Sequence, residues 1–262
     1  MRDDFFYMKP VSKKILFPYR IPLVIFGVML SFHVFLESQT PTDELYLLIG
    51  IIFVAMSLAV SVSCFIVSKI YGYSRIFGMS YLVLGMGYFF AFVGEMSFVY
   101  YVDFLGQESA PLIGELSFLI LYVMIITHLI INIRYFADSI YSYQKILLAL
   151  IPFVIILAYL YFVLETDNVD YFELPYSIVA VSLSSMTVSL AVVGFTLFKK
   201  TALVIAWFLL LTGLFAGTIG DIVNYYLVAL GDLNSISNYS TTLWIASNAI
   251  IIYALYRHQK AI

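Results

Sequence analysis

The chain has 262 residues, of which 63% are hydrophobic and only 11% charged, with a mean hydropathy of +1.01 and a formal net charge of -3. This composition lies far outside the range of soluble domains and marks an integral membrane protein, with the lipid bilayer as its surroundings and no nucleic-acid partner expected. The single cysteine, Cys64, excludes an intrachain disulfide and a Cys-rich metal site.

Runs of about 20 apolar residues predict eight transmembrane helices. In chain order they cover 21–36, 45–67, 77–104, 112–133, 145–164, 175–198, 202–230 and 239–256. Loop chemistry separates them, in stretches such as "ESQTPTDE" (37–44), "GQESAP" (106–111), "ETDNVDYFELP" (165–175) and "GDLNSISN" (231–238). The fold class expected is therefore all-α and polytopic. Eight spans leave no room for a second globular domain, so no fused kinase or cyclase is expected.

Counting alternate loops as one side, every basic residue falls on the same side: Arg2, Lys9, Lys13, Lys14, Arg20, Lys69, Arg75, Arg134, Lys145, Lys199, Lys200, Arg257 and Lys260. The opposite loops carry Glu37, Asp43, Glu44, Asp103, Glu108, Glu165, Asp167, Asp170, Glu173 and Asp232, with no Lys or Arg. The positive-inside rule then puts both termini in the cytoplasm of a cell-membrane protein. No cleavage-site pattern precedes the first span, which is expected to remain as an anchor.

Two phrases recur at an offset of 126 residues. Gly87, Ala91, Gly94, Glu95 and Tyr100 match Gly213, Gly217, Gly220, Asp221 and Tyr226. This predicts two four-helix repeats of the same orientation, 1–138 and 139–262, with the third and seventh helices facing each other near the axis. Small residues at i, i+4 and i+7 share one helical face and let another backbone approach closely. The acid follows about 100° further round, at the edge of that seam.

Glu95 and Asp221 are the leading site candidates, because a carboxylate inside a span is costly and no Lys or Arg is available there. Tyr100, Tyr226 and Asn224 are candidate partners in binding a small ligand, proton or cation. The structural alternative is that the acids, bonded to Tyr, Asn224 or backbone, hold helices together. Glu115 opens the fourth span and either joins Glu95 or simply favours a helix N-terminus. His128 reads as a packed residue; His33 and His258 complete a scattered set without HxxxH or HExxH spacing, so no metal site or cofactor is expected. The stretch "SLSSMTVS" (182–189), with Ser185, Thr187 and Ser189, either lines a cavity or bonds back to its own backbone. Asn238-Tyr239-Ser240 is a glycosylation sequon.

Residues 81–134, "YLVLGMGYFFAFVGEMSFVYYVDFLGQESAPLIGELSFLILYVMIITHLIINIR", resemble the multi-span membrane regions that precede output domains in many prokaryotic diguanylate cyclases and sensor histidine kinases. Those regions run approximately G-x-GD, an aromatic, G-x-x-x-P-S-x-AD, then an apolar helix ending in Arg. Residues 214–255 are similar to their later spans. The resemblance puts Glu95 and Asp221 at acid positions and Glu115 at the "AD" acid, with Glu for Asp at two of the three. It implies a stand-alone sensing or accessory module acting through a cytoplasmic or membrane protein partner. The other functions weighed are a small carrier or channel built on paired halves, and an intramembrane lipid hydrolase of the lysoplasmalogenase type using two carboxylates.

Overall fold

A computed structural model describes residues 20–38, 43–72, 76–106, 112–137, 139–165, 174–229 and 236–260. The N-terminal "KPVSKK", Arg75, Glu108, Asp167, Asp170, Glu173 and Asp232 lie outside these residues, as do the side chains of His33, Glu37, Asp43, Glu44, Asp103 and Asn238. Every described element is a helix. They are α1 (Arg20–Ser38), α2 (Asp43–Tyr71), α3 (Phe77–Phe98) continued by a π-helical segment (Val99–Phe104), α4 (Leu112–Phe136), α5 (Ser142–Leu164), α6 (Leu174–Phe198), α7 (Val204–Ala229) and α8 (Ile236–Lys260). Each predicted span has its helix, with ends within a few residues. Six of them, α2 to α7, are long and apolar enough to cross a membrane. Helices suit that solvent because their backbone polar groups pair within the segment.

Local chemistry sets several ends. Gly72, at φ +51°, terminates α2, its N–H reaching the carbonyls of Ser68 (3.1 Å) and Lys69 (3.0 Å). That left-handed turn favours a residue without Cβ. At the start of α5 the Tyr141 N–H donates to Gln144 Oε1 (2.9 Å), while Gln144 Nε2 donates to Thr196 Oγ1 (2.7 Å) and ties α5 to α6.

Six helices close a ring in the order α2, α3, α4, α6, α7, α8 and back to α2; α1 lies on α8, and α5 lies on α6. The small-residue stripes set two sides of this ring. A Cβ on Gly87 would meet Met124 Cβ at 2.8 Å and the Leu121 carbonyl at 3.4 Å, and one on Gly94 would meet Ser117 Cβ at 3.2 Å. In the second half, a Cβ on Gly213 would meet Ile251 Cγ1 at 2.6 Å and the Ser247 carbonyl at 3.2 Å, and one on Gly220 would meet Trp244 at 2.8 Å and Leu243 Cβ at 3.3 Å. Ala91 is buried in the first stripe, and Gly217 faces Ser247 in the second. The stripes therefore make close antiparallel pairs, α3 with α4 and α7 with α8.

That use of the stripes leaves the third and seventh helices to face each other only across the ring interior. The third and seventh helices do not pack against each other: α4 and α6 separate them on one side of the ring, α2 and α8 on the other. Their glycine faces are already occupied by the helix that follows each in the chain. No close-approach surface is left for pairing across the axis.

Candidate functional site: two buried carboxyls

Both acids nevertheless point inward. Tyr81, Leu84, Tyr88, Ala91 and Glu95 recur at heptad spacing on α3, and all are buried. Trp207, Leu210, Leu214 and Asp221 form the matching buried stripe on α7. Residues three and four apart share a helical face, so each acid extends an apolar row that lines the ring interior. Glu95 is about 10 Å along the axis from Tyr88, at ~1.5 Å per residue.

Asp221 is tied on three sides. The Ser184 hydroxyl of α6 donates to Oδ2, and the Trp244 indole N–H of α8 donates to Oδ1 at 3.0 Å. Tyr122 of α4 hydrogen-bonds the same carboxyl. Ser184 also pairs with Thr218 Oγ1 (2.8 Å), one turn before Asp221 on α7. Trp244 is held by stacking on Phe53 of α2, with ring centroids 5.4 Å apart and planes 5° from parallel. Tyr88 of α3 lies within electrostatic reach of the carboxyl. Side chains of α3, α4, α6 and α8 thus surround Asp221 of α7, and α2 bears on it through Phe53, which backs Trp244. Gly220 makes this geometry possible, because any Cβ there would collide with the Trp244 ring.

Glu95 has none of this. Although it is buried, its side chain makes no hydrogen bond or ion pair with any described residue. The 126-residue offset shows why: the position equivalent to Trp244 is Phe118, whose ring has no N–H to donate. The position equivalent to Tyr122 is Asn248, which reaches toward Ser57 Oγ at 3.5 Å instead of serving an acid.

The other sequence candidates separate from this pair. Glu115 is in the first turn of α4, where a carboxylate complements the helix dipole; its backbone carbonyl accepts the Tyr176 hydroxyl at 3.2 Å. Tyr100 is exposed on the π-helical segment and meets Tyr101 edge-on at 5.3 Å. Tyr226 lies edge-on to Phe162 at 6.3 Å, and Asn224 makes no side-chain hydrogen bond with a described residue. None of these is a partner of Asp221. In "SLSSMTVS", Ser182, Ser185 and Thr187 bond back to their own helix, and Ser189 donates to the Leu147 carbonyl of α5 at 3.2 Å. Cys64 is packed in the apolar core.

Sequence reasoning passed over Trp244, Tyr122, Ser184 and Thr218. Extending the repeat into the fourth and eighth helices would have paired Phe118 with Trp244, and so flagged one of only two tryptophans in the chain. Among the described residues, no group of three His, Cys, Asp or Glu side chains is placed to hold a metal. Comparison with protein-family models, with curated proteins and with solved structures gives no match.

Proposed function

We propose that this chain is a stand-alone membrane sensing or accessory module in which Glu95 takes up a proton, a cation or a small ligand while Asp221 fastens the bundle. The observation that carries this reading is the burial of Glu95, without a partner among the described residues, in a helix long and apolar enough to cross a membrane. An acid in that setting is costly unless something balances it, and intramembrane acids mark functional sites by default. A change at Glu95 acts on α3, which packs on α2 and α4 and so adjoins both α8 and α6 of the other half. A partner at the basic end of the bundle would receive that change.

The same reading takes the chain to have eight spans, in two four-helix repeats, with both termini in the cytoplasm. The equal 126-residue offset in the glycine contacts supports the repeat, since Gly94 meets residues 117 and 118 as Gly220 meets 243 and 244. Sensing is favoured over carriage because buried apolar residues, including Leu84, Ile125, Leu129, Leu210 and Leu214, fill the ring between its ends.

The test is thermal unfolding of wild type, Glu95→Gln and Asp221→Asn across pH and across mono- and divalent cations. Binding to the folded state raises its stability by mass action. The wild type and Asp221→Asn are expected to respond, and Glu95→Gln is not. A response that survives in Glu95→Gln would refute the assignment.

A further inference from the structure

A second polar cluster lies at the opposite end of the ring, among the C-terminal turns of α4 and α8 and the first turns of α3 and α7. The His128 Nδ1 approaches both the Ser80 carbonyl (2.9 Å) and Ser80 Oγ (2.6 Å). A carbonyl only accepts, so Nδ1 carries the proton and Nε2 presents a lone pair. Asn132 Nδ2 donates to Ser80 Oγ and to the His128 carbonyl (2.8 Å), which uses both amide hydrogens and leaves Oδ1 as an acceptor. The Trp207 ring runs nearly parallel to His128, with centroids 6.5 Å apart and planes at 16°. All three side chains are at least nine-tenths buried.

Each of the three has a polar atom without a partner among the described residues: His128 Nε2, Asn132 Oδ1 and Trp207 Nε1. Two are acceptors and one is a donor. Buried polar atoms are otherwise almost always satisfied, and a buried water typically makes about three hydrogen bonds. A hydroxyl group, able both to donate and to accept, is the chemistry that fits this set; a purely apolar guest answers none of it, and a cation would oppose the indole N–H. Across the Tyr81 ring, 4.9 Å from each imidazole, His258 repeats the pattern: Nδ1 is paired with the Tyr71 hydroxyl (2.7 Å) and Nε2 is unpaired.

We propose that Trp207, His128 and Asn132 form a binding site for a small hydroxylic guest: a water molecule, or the hydroxyl of an alcohol or polyol solute. This site is separate from the two carboxyls, with buried Leu84 of α3 and Ile125 of α4 between them. Its occupant adds a second polar link between α4 and α7, which the Tyr122–Asp221 bond joins at the other end of the ring.

The chain has two tryptophans, so tryptophan 15N labelling of the whole protein in lipid nanodiscs gives two indole N–H signals. Trp207→Phe identifies the relevant one by its loss; should that variant misfold, Trp244→Phe does so by retention. The expected result is a cross-peak from the Trp207 N–H to the water resonance, or to a non-water hydroxyl if a solute occupies the site, with that cross-peak lost in Asn132→Leu. Growth and purification without alcohols or polyols separate the two sources. An indole proton at the shift of an unbonded N–H, without a cross-peak to any hydroxyl in wild type, would overturn the proposal.

Discussion

The two halves place an acid at matched positions, after matched glycine stripes and on helices that meet their neighbours at the same offset, and then treat it in opposite ways. Asp221 accepts from Ser184, Tyr122 and Trp244, whereas Glu95 has no partner among the described residues. The donors differ at every offset position: Phe118 stands where Trp244 does, Asn248 where Tyr122 does and Leu58 where Ser184 does. An acid directly after a glycine stripe is thus bonded on three sides in α7 and has no partner among the described residues in α3. The lesson is that an intramembrane acid acquires its role from the ring opposite it as much as from its own depth.

The sharpest way to break this comparison is at the glycines. Gly220→Ala should cost about 1–3 kcal/mol of overpacking, because the added Cβ meets the Trp244 ring at 2.8 Å. Only part of that is offset by the roughly 1 kcal/mol that Ala gains over Gly in a helix. Gly94→Ala meets Ser117 Cβ at 3.2 Å, a milder contact that the same gain should nearly cancel. Chemical unfolding in detergent micelles should therefore rank Gly220→Ala well below Gly94→Ala in stability, and equal losses would show that the two seams do not differ.

A smaller effect is expected at the indole itself. A double-mutant cycle of Trp244→Phe with Asp221→Asn should give a coupling on the order of 0.6 kcal/mol, the mean for hydrogen bonds measured this way inside a membrane protein. Phe118→Tyr with Glu95→Gln should show none in the absence of a new bond. Smallest of all, Asn224→Ala and Tyr226→Phe should each change stability by less than about 0.5 kcal/mol, as expected of side chains that make no hydrogen bond among the described residues. A large loss at Asn224 would restore it to the site.

The helices and their ends were legible in the sequence because lipid demands long apolar runs, and polar or glycine-rich stretches such as 68–75 and 106–111 interrupt them. The close approach of a helix to each glycine stripe was equally plain from i, i+4, i+7 spacing. Which helix approaches was not: periodicity reports a face and gives no partner, and α4 and α8, the helices that follow in the chain, fill the two seams. The site was legible only as far as its acids. Trp244 and Tyr122 are ordinary helix aromatics in the sequence, and their bonds to Asp221 follow from ring closure, which brings α4 and α8 to the same carboxyl. Asn224 and Tyr226 looked equally promising because they are near Asp221 along the chain, yet helix rotation directs them elsewhere.

The most direct measurement is the thermal stability of Asp221→Leu beside that of Glu95→Leu in the same nanodiscs. Asp221→Leu removes a carboxyl with three hydrogen-bond partners and should lose on the order of 2 kcal/mol, three bonds at roughly 0.6 kcal/mol each. Glu95→Leu replaces a buried acid that has no bonded partner among the described residues by an apolar side chain of similar size and should be neutral or stabilising. Equal destabilisation by both, or a larger loss at Glu95, would contradict the division of roles between the two halves.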